Sequence, residues 1–345
     1  MTAAFTLTRD APLRGLNTLR VAATSRWLAT LHHPDAIPAL LDRPDLRGLP
    51  LLVLGEGSNV LFAGDFPGLV LRPAFAAVQV VEDDATTALV RAEAGHGWDA
   101  LVDWTLARGL VGLENLALIP GLAGAAPIQN IGAYGTEVGE FISSVEAWDR
   151  TSRGLVRLGR DECGFGYRDS VFRHDAERWI VTAVEFALPR ARNLRLDYAG
   201  VREELAALGA TEPTATNVAE AVRRLRRRKL PDPAVIGNAG SFFKNPVVPA
   251  VLAETLLAKN ASMPVYPAGD GSSKLSAAWL IEACGWRGFR DGDAGISAQH
   301  ALVLVNHGRA GGDELLSVAR RVASSVEQRF GVRLEPEPRI VGAQW

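Results

Sequence analysis

Leu51-Leu52-Val53-Leu54-Gly55-Glu56-Gly57-Ser58-Asn59-Val60 opens on four apolar residues behind Pro50 and closes on a turn built of Gly, Ser and Asn. Four residues suit a short buried strand that ends at Gly55. The turn approaches the dinucleotide fingerprint G-x-G-x-x-G, but its last position holds Val60, where a Rossmann helix needs glycine to pack against its strand. A Rossmann reading is therefore weak. Gly55, Glu56, Gly57, Ser58, Asn59 and Val60 still offer successive backbone N–H groups in a concavity, which suits a pyrophosphate without any helix. A plain tight turn explains the hexapeptide equally well.

A second segment widens the choice. Ile119-Pro120-Gly121-Leu122-Ala123-Gly124-Ala125-Ala126-Pro127-Ile128-Gln129-Asn130-Ile131-Gly132-Ala133-Tyr134-Gly135 holds four glycines and four alanines in seventeen residues. So little side-chain bulk lets a flat, conjugated group lie against the backbone, with Gln129, Asn130 and Tyr134 as polar handles. Tight packing of irregular loops explains the small residues, but not two such loops in one domain.

The whole chain has 345 residues, enough for two or three domains and a sizeable core. Hydrophobic residues make up 48% and charged residues 22%, which excludes disorder, collagen and coiled coil as the main state. Lys plus Arg (37) nearly balance Asp plus Glu (39), so neither duplex nucleic acid nor an anionic membrane is indicated, and the partner is a small molecule. Cys163 and Cys284, the only cysteines, are too few for a disulfide framework or thiolate cluster, and a reducing compartment fits. Residues 1–20 carry Arg9, Asp10 and Arg14 and lack the apolar stretch of a signal peptide; nothing later approaches a membrane span. A cytoplasmic protein is expected. The six histidines show no metal-pair spacing, and C-x-x-C and Walker patterns are absent, so metal hydrolysis and P-loop phosphoryl transfer are disfavoured.

The first half reads as α+β. Leu19–Leu31 is assigned to a helix closed by Pro34; strands follow at 51–54, 69–72, 78–81, 88–93, 145–149 and 180–188, with a helix at 98–108. After Pro189, helices are expected at 201–208, 217–229, 251–259, 273–284 and 312–330, with Gly331 as C-cap, and strands at 301–305 and 332–335.

Further segments carry chemistry. Gly164-Phe165-Gly166-Tyr167-Arg168-Asp169-Ser170 sets an Arg beside a Tyr in a turn; a guanidinium fork suits a carboxylate or developing oxyanion, although taken alone Arg168 pairs with Asp169 at the surface. Ser241, in Asn238-Ala239-Gly240-Ser241-Phe242-Phe243-Lys244-Asn245-Pro246, lacks the flanking glycines of a nucleophile elbow and is either a proton donor or a turn cap. Arg223, Arg224, Arg226, Arg227, Arg228 and Lys229 end a helix and read as a solvated basic face, with Lys229 the position for a phosphate. Glu337 lies in Leu334-Glu335-Pro336-Glu337-Pro338-Arg339, where alternating prolines make either a rigid mount for a carboxylate or a protected edge.

Taken in order, the 54–62, 112–121, 127–135, 165–170, 229–233, 237–246 and 334–337 segments resemble the UDP-N-acetylenolpyruvoylglucosamine reductase family. The resemblance implies an α+β fold: an FAD-binding module of the vanillyl-alcohol-oxidase (PCMH) type in two subdomains plus a smaller α+β substrate-binding domain. It divides the chain into 1–75, joined by a C-terminal strand at 332–345, then 76–228, then 229–331. It further implies non-covalent FAD, NADPH as co-substrate, and ping-pong reduction of an enolpyruvyl UDP-sugar to UDP-N-acetylmuramate for peptidoglycan, by a monomer that binds no nucleic acid, membrane or metal.

Arg168 matches the arginine that stabilises the enolate, Ser241 the serine that protonates C2, and Glu337 the glutamate that supports this acid–base step. FAD would contact Gly55, Glu56, Gly57, Ser58, Asn59, Val60, Ile119, Pro120, Gly121, Gly124, Ala125, Gln129, Asn130, Gly132, Ala133 and Gly135. Tyr167, Lys229, Asn245 and Tyr266 fall where the family contacts substrate or its diphosphate; Tyr134 and Lys274 are looser matches, and Tyr198 resembles a tyrosine of one family subtype on a loop over the substrate. Two alternatives stay open: an oxidase of another sugar or alcohol on the same FAD module, and a nucleotide-sugar-binding protein without catalysis.

Overall fold

Leu19, Val21, Ala23, Ser25, Ala29 and Leu31 are all buried, one at every second position apart from the half-buried Trp27. That alternation is a strand's period, and Thr24–Leu31 is indeed a β-strand, not the helix expected from Leu19 to Leu31. The computed structural model describes residues 4–269 and 271–345. Two other expectations need correction. The stretch 273–284 is divided: Ser272–Leu275 is a strand, and Ser276 caps a helix at Ala277–Ala283 by accepting the Trp279 N–H at 3.3 Å. The last strand is Arg339–Val341 rather than 332–335, because Val332 and Leu334 are buried without a ladder partner and the two prolines delay pairing.

The remaining elements fall where the apolar pattern put them: Leu51–Val53, Phe66–Pro73, Val78–Asp83, Thr87–Glu93, Ile142–Asp149 and Trp179–Pro189 are strands, and Trp98–Leu106, Val201–Ala207, Ala215–Lys229, Ala250–Lys259 and Gly312–Phe330 are helices. Val303–Asn306 is the strand expected near 301–305. Gly331 ends the long helix with φ +67°, the left-handed C-cap.

Two compact units emerge. The first comprises residues up to Ala11 with Ser25–Glu56 and Pro67–Arg227. Its centre is an antiparallel sheet in the order Gly154–Gly159, Ile142–Asp149, Trp179–Pro189, Thr87–Glu93, Val78–Asp83. The middle strand is buried along nearly all its length, so it reads as an apolar run rather than an alternation. Trp98, Leu101 and Val102 of one helix and Val218, Val222 and Leu225 of another share a core with its Val184 and Phe186.

The second unit comprises Pro12–Thr24, Gly57–Phe66 and Arg228–Trp345. It contains a four-stranded sheet (Gly237–Ser241, Val303–Asn306, Ala294–Ile296, Arg290–Asp291), a three-stranded one (Val247–Pro249, Ser272–Leu275, Val265–Pro267), and a parallel pair of Val60–Phe62 with Arg339–Val341. Val60, the residue that broke the fingerprint, thus begins a strand, so the glycine turn leads to no helix. Gly312 allows the long helix to start against Val60–Phe62: a Cβ there would stand 1.7 Å from the Phe62 carbonyl oxygen. Among the described residues no helix is long and apolar enough to cross a membrane, and no metal-ligating cluster occurs.

Candidate active site

In the first unit the two glycine-rich segments meet. The carboxylate of Glu56 accepts a hydrogen bond from the Gly121 backbone N–H, and a Cβ on Gly55 would touch Leu122 at 3.4 Å. Burial pushes the Glu56 pKa up, against the opposing pull of that N–H and of the nearby Arg72 charge. The Ile119–Ala125 loop is threaded between the strand Thr87–Glu93 and the helix after it: Trp98 N–H donates to the Gly121 carbonyl (2.9 Å), Ala123 N–H to His96 (2.8 Å) and Gly124 N–H to Ala94 (3.0 Å). Gly124 is small because Ala94 occupies its side-chain space at 2.5 Å, so its side-chain position faces protein.

The stretch from Asn130 to Gly139 is held by one side chain. Asn130 is buried; its amide donates to Glu137 (2.9 Å) and to the Gly166 carbonyl (3.0 Å), and its oxygen accepts from Gly139 N–H (2.8 Å). The side chain is therefore committed to protein, and what Asn130 can offer a cofactor is its backbone. Leu118, Asn130, Tyr134 and Arg168 all have positive φ (+59°, +43°, +49° and +55°). Four non-glycine residues in the left-handed region, in these loops, cost on the order of 1 kcal/mol or more each and mark a geometry fixed by its surroundings.

Arg168 stands at the tip of a turn closed by Gly166 and Asp169, which exchange backbone hydrogen bonds at 3.1 and 3.2 Å. Asp169 pairs with His174 at 2.8 Å, not with Arg168 as the isolated heptapeptide suggested. The Arg168 guanidinium instead reaches the Gly132 carbonyl (2.8 Å) beside the small-residue loop, and it also lies over the Tyr167 ring at 5.3 Å. Tyr134 is buried and meets the ring of Tyr198 edge-on at 4.9 Å. Asn115, to which the sequence motifs assign no role, ties the two stretches together: its amide bridges the Tyr134 and Arg195 carbonyls at 3.1 and 3.0 Å. The first unit thus brings together Arg168, Tyr167, Gly132, Tyr134 and Tyr198.

The basic run is not a uniform solvated face. Arg224 and Arg227 lie outward near Glu220, but Arg223 is only 12% exposed and pairs with Asp99 (2.8 Å) and Asp103 (2.6 Å), while Arg226 turns inward to the Leu118 carbonyl (3.1 Å). Helical spacing carries the signal: Arg226 follows the buried Val222 by four residues.

In the second unit, Ser241 ends the strand Gly237–Ser241. The segment after it runs antiparallel to the Pro-rich C-terminal segment: Lys244 N–H donates to Glu335 (3.0 Å), Glu337 N–H to the Phe242 carbonyl (2.8 Å), and Phe243 faces Pro336. Ser241 and Glu337 are thereby set on adjacent segments, one residue out of register. Asn59 grips the same segment, its carbonyl accepting the Arg339 N–H at 3.0 Å. Tyr266 and Lys274 are direct cross-strand partners, so their side chains share one face of the three-stranded sheet. The Asn245 oxygen accepts from Ala277 N–H at 3.0 Å, which fixes its amide. Lys229 is exposed and lowers the pKa of His300, itself depressed first by burial.

The sequence comparisons fit this arrangement. Residues 26–157 match the profile of an FAD binding domain, and residues 232–341 that of the UDP-N-acetylenolpyruvoylglucosamine reductase C-terminal domain. The UDP-N-acetylenolpyruvoylglucosamine reductase of Xanthomonas euvesicatoria pv. vesicatoria (strain 85-10) is 59% identical over 340 residues, 98% of this chain and 97% of its own. The chain belongs to the UDP-N-acetylenolpyruvoylglucosamine reductase family. A Xanthomonas campestris pv. campestris (strain B100) reductase of the same name is 58% identical over the same shares. The crystal structure of the Thermus caldophilus reductase superposes with a TM-score of 0.66 at 24% identity, covering 98% of each chain, a likeness of fold.

FAD, the cofactor of this reductase family's binding module, fits the residues present. The backbone amides of Gly55, Glu56, Gly57 and Asn59 donate to no acceptor among the described residues. Such a row of unmatched N–H groups in a turn suits a diphosphate. Gly135, at φ +80°, has no atom within 4 Å of where its Cβ would lie, so its side-chain space is open.

Proposed function

We propose that the chain is an NADPH-dependent reductase that converts UDP-N-acetylglucosamine enolpyruvate to UDP-N-acetylmuramate in peptidoglycan precursor synthesis. The observation that carries this reading is the 59% identity to a reductase of that name across 98% of the chain. FAD, when bound, would supply the hydride-transfer chemistry between NADPH and the enolpyruvyl group.

Arg168 stabilises the negative charge that reaches the carboxylate and C2 of the substrate. A cation already fixed in place needs no reorganisation when that charge develops, which is why preorganised charges lower barriers so effectively. The hydrogen bond to Gly132 supplies that fixation. Ser241 gives its hydroxyl proton to C2, and Glu337, mounted on the rigid Pro-Glu-Pro segment, supports the proton's passage. Tyr167, Lys229, Asn245, Tyr266 and Lys274 hold the sugar nucleotide and its diphosphate, and Tyr134 with Tyr198 covers it. The residues that would hold FAD are Gly55–Val60 with Ile119, Pro120, Gly121, Gly124, Ala125, Gln129, Asn130, Gly132, Ala133 and Gly135. We further propose the three-part division at about 75, 228 and 331, and a cytoplasmic monomer. The test is anaerobic: NADPH should bleach the bound flavin, and the enolpyruvyl UDP-sugar should restore its colour. A flavin that stays reduced refutes the assignment.

A further inference from the structure

Past Pro189 the chain leaves the sheet, and from Ala191 to Asp197 no residue makes a backbone–backbone hydrogen bond to a described residue. Side chains hold the segment instead. Leu194 and Leu196 pack against the core of the first unit, Arg192 lies over the Phe141 ring at 4.9 Å, and the Arg195 carbonyl accepts from Asn115. The Arg195 guanidinium makes the most directional of these ties. It reaches the two oxygens of Glu140 at 2.7 and 2.6 Å and the Gly135 carbonyl at 2.7 Å. Glu140 is itself fixed, because its Oε1 also accepts the Glu137 N–H at 3.1 Å. Burial pushes the Glu140 carboxyl up, but Arg195 and that N–H hold it below its ordinary value, so the pair is ionised at neutral pH. A forked, charge-assisted pair fixes orientation as well as distance.

We infer that Arg195 is a positioning residue for the sugar-nucleotide site: by clamping its segment onto the turn from Gly135 to Glu140, it sets Tyr198 against Tyr134 before substrate arrives. The inference rests on the reductase reading above, in which those two rings cover the substrate. Tyr198 follows Arg195 by three residues, is half exposed, and meets the buried Tyr134 ring edge-on at 4.9 Å. Gly135 directly follows Tyr134, so the clamp refers both rings to one turn. Without it the segment keeps only its apolar contacts, the Arg192–Phe141 stacking and the Asn115 bond, and the ligand itself must order Tyr198. Apparent affinity then falls by the fraction of molecules in which the ring already stands in place. Arg168 and its tie to Gly132 are untouched, so the chemical step keeps its rate. No local motif marks Arg195, because Glu140 and Gly135 lie 55 and 60 residues away.

Arg195→Met removes the clamp and keeps an apolar side chain of similar length; Glu140→Ala removes the ionic partner and leaves the Gly135 bond. The assay is calorimetric binding of the enolpyruvyl UDP-sugar to the oxidised, FAD-loaded, full-length protein with no reductant present, so that nothing turns over. Kd should rise about tenfold or more in Arg195→Met and about fivefold in Glu140→Ala, while the rate of flavin reoxidation at saturating sugar stays within threefold of the parent. In a Tyr198→Ala background either substitution should add less than twofold, because the ring being positioned is gone. An unchanged Kd, or full additivity with Tyr198→Ala, overturns the inference and leaves the ion pair as a stabiliser of the fold. If Arg195→Met retains no FAD, Glu140→Ala in the two backgrounds decides by the same criterion. A parent protein that binds the sugar but does not reoxidise its flavin refutes the proposed reaction and leaves the Kd comparison readable. A parent that binds no sugar overturns both.

Discussion

Gly132→Ala tests the mounting of Arg168 without replacing it. A Cβ at Gly132 would lie 3.0 Å from Arg168 Nη1, 3.0 Å from Glu137 Cγ and 3.1 Å from the Thr136 carbonyl oxygen. Two of these neighbours are side-chain atoms, so the fold survives and the guanidinium yields by a few tenths of an ångström, loosening its 2.8 Å bond to the Gly132 carbonyl. Complete loss of an oxyanion stabiliser costs about 3–4 kcal/mol, and a misplacement of about 1 Å costs roughly a hundredfold in rate. A shift of less than half that size should therefore slow reoxidation of the flavin by the enolpyruvyl sugar about 4- to 10-fold, or roughly 0.8–1.4 kcal/mol of barrier. Reduction by NADPH, which creates no charge on the substrate carboxylate, should change by less than about threefold. Stopped-flow absorbance of the flavin resolves the two half-reactions. If Gly132→Ala reoxidises at the parent rate, or if both half-reactions fall together, Arg168 does not act through this geometry.

Ser241→Ala should preserve flavin reduction and nearly abolish turnover of the enolpyruvyl sugar, with solvent-deuterium incorporation at C2 as the direct readout. Asn130→Ala breaks three hydrogen bonds of a buried side chain; chemical denaturation should show a loss of about 2–4 kcal/mol, accompanied by weaker FAD retention. Gly312→Ala drives a Cβ into the Phe62 carbonyl, and a loss on the order of 3 kcal/mol or more, seen as poor soluble yield, is the expected outcome. The Arg178 guanidinium, with Thr151 N–H and the Ser152 hydroxyl, holds the Asp149 pKa well below its ordinary value. Its stabilising contribution is therefore full above the ordinary carboxylate pKa of about 4 and is lost as pH falls further below it. Asp149→Asn should flatten that acid limb of the melting temperature against pH, and an unchanged acid limb would show that the pair is not responsible.

Where structure and sequence expectation part, the physical origin is specific. Leu19–Leu31 contains both a helical and an alternating spacing of apolar residues, and burial on every second residue, a tertiary fact, decides for the strand. Charge alone makes the basic run a solvated face; Arg223 and Arg226 differ from Arg224 and Arg227 only in which side of the helix they occupy, and the inner side meets Asp99, Asp103 and Leu118 from distant parts of the chain. Asn115 carries no local signal, because its partners Tyr134 and Arg195 are 19 and 80 residues away.

By itself the sequence determined the α+β class, most element positions, the two small-residue segments and the family. Each of these follows from residue type at short spacing, where steric and apolar preferences act along the chain. Only the tertiary structure decided that Glu56 receives the Gly121 N–H, that Arg168 is aimed by Gly132 rather than held by Asp169, and that Glu337 is bonded beside Ser241. These are pairings between residues far apart in the chain. A charge or hydroxyl acquires its chemical role from which distant backbone group fixes it, and the long-range packing of the core chooses that group.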